Sequence, residues 1–137
     1  MAEFTLPRAA VINFVHPRPF LVSGPTGCGK TAFVVRVFKE TMLRSAVGFL
    51  PERLVWFYGA EQSALFEELH RTLIPATQPD LHSGLNGLDW VLDTLQPSVR
   101  NVVEIDDLKA EAKDSAAVAL LFTVGSNHAN TTVIYIS

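Results

Sequence analysis

The chain has 137 residues, which suggests one domain, and a domain of this size buries about two-thirds of its unfolded surface without needing disulfides. With 11 basic against 14 acidic residues and a net charge of −3, it has no global basic field to draw in a polyanion, so a nucleic-acid partner would have to meet a local patch or the pore of an assembly. The single cysteine, Cys28, excludes an internal disulfide and fits a reducing, intracellular compartment. No apolar stretch approaches the roughly 18 residues of a membrane-spanning helix, and Met1-Ala2-Glu3-Phe4 lacks the basic start and apolar block of a secretory signal, so no membrane association or secretion is expected.

Residues 1–18 read as an N-terminal arm or edge strand, interrupted by Pro7 and Pro17, with Val11-Ile12-Asn13-Phe14-Val15 as its extended part. Residues 19–137 read as the folded core. The first firm strand is expected at Pro19–Ser23 and the first helix from about Gly29 to Arg44, where Phe33, Val34, Val37, Phe38 and Met42 recur at helical spacing. Between them stand Gly24-Pro25-Thr26-Gly27-Cys28-Gly29-Lys30-Thr31, which match G-x-x-x-x-G-K-[ST], a phosphate-binding loop of the Walker A type. The glycines let backbone N–H groups turn toward one point, and the helix dipole adds positive potential there. Lys30 is expected to reach the β- and γ-phosphates of ATP, and the Thr31 hydroxyl to ligate Mg²⁺. The plain alternative is a Gly-rich turn before an ordinary helix. Cys28 sits at a variable loop position and reads as a small space-filling residue.

Leu54-Val55-Trp56-Phe57-Tyr58, opened by Pro51-Glu52-Arg53 and closed by Gly59, reads as a buried parallel strand, with its aromatics as core rather than base-stacking groups. Glu61–Leu73 reads as a helix with Leu65, Phe66, Leu69 and Leu73 as its stripe. Ile74–Gly87 reads as the longest loop, and Leu88–Leu95 as a short helix. Asn101–Asp106 is expected as a strand, Glu111–Val124 as a helix, and Thr131–Ile136 as a last strand. This alternation predicts an α/β domain with a mostly parallel sheet and helices on both faces.

Val102-Val103-Glu104-Ile105-Asp106-Asp107 looks like a Walker B element, since acids at the carboxyl end of a strand lie where ligands bind in an open α/β sheet. Asp106 is the expected metal-facing acid and Asp107 the one that orients or activates the attacking water. An Asp-Asp pair also suits a turn closing a strand. Glu104 shares a face with Asp106, so it needs either an exposed face or a hydrogen-bonding partner, and a second catalytic carboxylate is a further possibility. His128 reads as either a sensor or a surface histidine. Arg100, before the third strand, belongs to the end of the sheet away from the acids. His70 and His82 have no companions at zinc-ligand spacing.

With these residues in place, the chain resembles the viral DNA-packaging ATPases of the FtsK–HerA branch of P-loop NTPases, particularly the short forms in Polinton-like and adintovirus-like elements related to poxvirus packaging ATPases. The segments that carry the likeness are Arg18-Pro19-Phe20 through Thr31, Pro51 through Gly59, Asp106-Asp107-Leu108, and Leu121 through Asn130 with the strand after it. The resemblance implies a P-loop NTPase three-layer sandwich and a ring or paired assembly that hydrolyses ATP to move double-stranded DNA into a capsid, in a host nucleus or cytoplasm. It also implies Lys30, Thr31, Asp106 and Asp107 in the roles above. The chain departs from the pattern at Ala129, where the family commonly has a basic residue. It also ends at Ser137, before a polar γ-phosphate sensor. A C-terminally truncated relative is therefore expected, and a non-catalytic or weakly active nucleotide-binding assembly module is the alternative to a motor. A small GTPase is disfavoured because no N-K-x-D is present, and a nucleotide kinase because no arginine-rich lid is evident.

Overall fold

A computed structural model describes residues 17–25, 29–44, 51–60, 62–73, 79–125 and 129–137. Strands β1 (Pro19–Val22), β2 (Arg53–Tyr58), β3 (Asp80–Ser83), β4 (Asn101–Asp106) and β5 (Thr131–Ile136) alternate with helices α1 (Lys30–Arg44), α2 (Ser63–Leu73), α3 (Leu88–Thr94), α4 (Lys109–Ala112) and α5 (Ala116–Leu120). The strands form one five-stranded sheet in the order β1-β5-β4-β2-β3. All its pairings are parallel. The domain is thus α/β, with every strand's carboxyl end on one edge of the sheet.

The alternation of side chains explains why both faces are covered. Leu54, Trp56, Val102, Ile134 and Ile136 point to one face and pack with Val34 and Val35 of α1 and with Phe66 and Leu69 of α2. Val55, Phe57, Val103, Ile105 and Val133 point to the other and pack with Leu88 and Val91 of α3, Ala112 of α4 and Val118 of α5. Strands buried on both faces read as continuous apolar runs, which is why β2 and β5 are legible in the sequence. No helix among the described residues is long and apolar enough to cross a membrane. The segment Val11–Val15 lies outside the described residues.

Two elements differ from the sequence expectation. The loop expected over Ile74–Gly87 contains β3, whose residues Asp80-Leu81-His82-Ser83 pair with Val55 through Tyr58. It is a short, mostly exposed edge strand, so backbone pairing rather than an apolar pattern holds it. The single helix expected over Glu111–Val124 starts earlier, at Lys109, and is broken. Ser115 caps α5 by accepting a hydrogen bond from the Val118 N–H at 3.2 Å, and such a cap starts a new helix rather than continuing an old one. After α5 the backbone widens into a π-helical turn over Leu121–Gly125. There the Thr123 hydroxyl donates to the Ala119 and Leu120 carbonyls at 3.1 and 3.3 Å, a back-bond that competes with the regular helical ladder.

Candidate functional site

Because the sheet is all parallel, β1 delivers the chain to Gly24 on the same edge where β4 delivers Asp106, with β5 between them. Strand spacing puts those two exits about 10 Å apart. Gly29 has φ +88°, a left-handed conformation that glycine adopts without penalty. Its carbonyl accepts the first bond of α1, from the Phe33 N–H at 2.9 Å. Lys30 and Thr31 therefore occupy the first turn of α1, where the helix dipole is most positive.

That turn leans onto the end of β4. The buried Thr31 hydroxyl donates to Asp106 Oδ2 at 2.7 Å, joining residues 75 positions apart in sequence. Lys30 Nζ donates to the Gly24 carbonyl at 2.6 Å and also to the Ser137 carbonyl at the end of β5. Lys30, Thr31, Asp106 and Asp107 line one cleft of about 270 Å³, together with Gln62 and Ala60 from the β2–α2 connection. Of the remaining loop positions, Pro25 lies at the bend after Gly24, while Thr26, Gly27 and Cys28 lie outside the described residues, as does His128.

Asp107 begins the chain's exit from β4 with φ 57°, a left-handed conformation that aspartate tolerates better than most residues. Its N–H donates to the Ile136 carbonyl at 3.1 Å, while the Gly59 N–H donates to the Asp106 carbonyl at 2.9 Å. A Cβ on Gly59 would lie 2.2 Å from the Asp107 carbonyl oxygen, so the close approach of β2 to this corner requires glycine. The ends of β2, β4 and β5 are thereby latched around the acidic pair.

The electrostatics of β4 are unusual. Burial pushes the Asp106 carboxyl above its ordinary pKa, the nearby Asp107 adds to that, and the Thr31 hydrogen bond and Lys30 oppose it. A divalent cation beside Asp106 would reverse the balance in favour of the carboxylate. Glu104 is pushed well above its ordinary value by burial and, secondarily, by Asp106. It lies opposite Trp56 and Ile134 in the sheet register. The sequence suggested that its face is exposed or that it has a partner. Instead Glu104 is fully buried, and neither carboxyl oxygen has a hydrogen-bond partner among the described residues. Neutralisation by protonation is the response such an environment favours.

Other candidates fall away from the cleft. Arg100 lies at the start of β4, near Glu52 at 3.8 Å. Arg53, also at that end, donates to the Thr94 carbonyl and hydroxyl at 3.0 and 2.9 Å. Trp56 and Phe57 are fully buried, as core aromatics are. His82 pairs with Asp80 at 3.0 Å and stacks on Phe57.

The residue that pattern reading passed over is Gln62, whose Nε2 donates to Thr31 Oγ1 at 3.3 Å. Only the adjacency of β2 and β4 reveals it, because that adjacency brings the β2–α2 connection to the acidic corner. No protein-family model matches the chain, and no curated protein matches it. The functional reading therefore stands on the site itself.

Proposed function

We propose that this chain is a P-loop protein that binds ATP with Mg²⁺ and hydrolyses it, serving as a motor subunit of the DNA-packaging or translocating type. The observation that carries the nucleotide reading is the Thr31–Asp106 hydrogen bond at 2.7 Å, with Lys30 on the same helical turn. It joins the end of the glycine-rich motif to the end of an acidic strand. Two hard oxygen donors side by side fit Mg²⁺, which takes few protein ligands and shares its remaining sites with phosphate and water. Bound there, Mg²⁺ would neutralise charge on the β- and γ-phosphates.

The chain's own residues do the rest. Lys30 exchanges its carbonyl acceptors for phosphate oxygens, a stronger charge-assisted bond. Asp106 and Thr31 would hold the metal. Asp107, one position further and beyond the end of the strand, orients the attacking water and takes its proton. DNA as the transported partner rests on the family resemblance alone.

A weakly active module is the second reading, and one observation favours it. Among the described residues no arginine lines the cleft, whereas phosphoryl transfer gains much from positive charge at the γ-phosphate in the transition state. Self-association that brings an arginine from a neighbouring subunit would supply it.

Lys30→Ala tests the nucleotide reading. Affinity for a fluorescent ATP analogue should fall at least tenfold, or about 1.4 kcal/mol, and unchanged affinity would overturn the assignment. Steady-state ATPase with and without double-stranded DNA then separates motor from module. A motor is stimulated by DNA, and its turnover rises more steeply than linearly with protein concentration.

A further inference from the structure

Gln62 occupies a position from which its side chain reaches Thr31 and the cleft shared by Lys30 and Asp107. Its carbonyl accepts from the Phe66 N–H at 3.0 Å, so its backbone is fixed at the start of α2. Its side chain reaches back into the cleft to Thr31 Oγ1 at 3.3 Å. The Thr31 hydroxyl has one proton and two lone pairs. The proton goes to Asp106, and the Gln62 amide occupies one lone pair, which leaves the other for a metal ion.

An amide N–H and a divalent cation compete for the same hydroxyl oxygen, because both present positive charge to it. A cation on the second lone pair would set its charge beside the amide N–H and weaken the Gln62 bond to Thr31. The anchor of Gln62 on α2 keeps the freed group in the same cleft as Lys30 and Asp107. A primary amide both donates and accepts. It can therefore donate to a phosphate oxygen and accept from a water proton, a pairing that neither Lys30 nor Asp107 offers alone. Lys30 cannot by itself distinguish di- from triphosphate, since an ammonium contacts whichever phosphate oxygens are present.

We propose that Gln62 is the triphosphate-sensing residue of this site: it caps Thr31 when the metal is absent and turns its amide to the terminal phosphate and the attacking water when Mg²⁺ and ATP are present. This rests on the nucleotide-binding reading above. It adds that γ-phosphate occupancy is reported to α2 through the residue on which that helix starts.

The test compares Gln62→Ala and the near-isosteric Gln62→Glu with the parent chain, measuring affinity for fluorescent ADP and for a non-hydrolysable fluorescent ATP analogue, each with Mg²⁺. The parent should prefer the triphosphate. Gln62→Ala should reduce that preference by about fivefold or more while leaving ADP affinity within about twofold, since one hydrogen bond to a charged group is lost. Gln62→Glu should reduce it further, because a carboxylate repels the terminal phosphate. An unchanged preference in both variants would overturn the proposal, and so would an equal loss of both nucleotides, which marks a merely structural role. Lys30→Ala separates this from the broader reading. If the parent binds and Lys30→Ala does not, nucleotide binding stands whatever Gln62 does. If the parent binds neither nucleotide, both readings fall.

Discussion

Strand β4 presents two different surfaces. Val103 and Ile105 face α3, α4 and α5 in an apolar cluster, with the uncharged Asn101 and Thr131 buried at the start of the same face. Val102, Glu104 and Asp106 alternate with them and face the side of α1 and α2. Both buried carboxylates of the described residues therefore lie on one face of a single strand. The apolar face removes hydrocarbon from water and gains from it. The other face places two acids where burial disfavours their charge and leaves one of them without a partner. Buried acids on one face alone are a cost that the proposed nucleotide site would explain.

The largest expected effect tests the proposed function on the α1/α2 face. Asp107→Asn should lower ATP turnover about 10²-fold or more by removing the water-facing base. Unfolding free energy should change by no more than about 0.5 kcal/mol, since asparagine tolerates the same left-handed backbone. Turnover at the parent rate would show that Asp107 is only a turn residue.

On the apolar side the effect should be the reverse. Ile105 is fully buried, so Ile105→Ala should cost about 2–5 kcal/mol in urea denaturation and leave nucleotide affinity unchanged at temperatures where the variant is folded. A smaller loss would mean that this face is more loosely packed than its burial suggests.

Glu104→Gln probes the cost of the buried acid. The folded-state pKa is raised above the ordinary value of 4.5. The parent's relative stability is therefore greatest below that value and declines as pH rises toward the folded-state pKa. The slope from this group is at most about 1.4 kcal/mol per pH unit. Glutamine does not titrate, so the variant should gain on the parent progressively from pH 4.5 upward. A stability difference independent of pH would show that Glu104 is not held protonated.

The smallest effect concerns a helix end on the apolar side. Ser115→Ala removes the cap that accepts the Val118 N–H and should cost about 1 kcal/mol in thermal or urea unfolding. Nucleotide affinity should stay at the parent value, and a weakened site would link the two faces more closely than the packing implies.

Much of this domain was legible in the sequence, for reasons that can be stated residue by residue. Central strands such as Leu54 through Tyr58 are apolar on both faces because helices cover both. The spacing from Phe33 to Val37 marks the buried stripe of α1. The glycine-rich run before Lys30 and the acids at Asp106 and Asp107 are local patterns, recognisable within a few residues. β3 was not legible, because its four exposed, largely polar residues are held by backbone bonds to β2 that no side-chain pattern records. The break before Ala116 was obscured by an uninterrupted helix-compatible composition, in which Ser115 is the only cue.

What the sequence by itself determined is the element alternation and the chemical identity of Lys30, Thr31, Asp106 and Asp107. Only the tertiary structure decided that β5 enters between β1 and β4, that β2 lies on the other side of β4, and hence that Thr31 meets Asp106 and Gln62 meets Thr31. Strand order is set by how whole helices and strands pack over long sequence separations, and those contacts leave no periodic trace in any short stretch of chain.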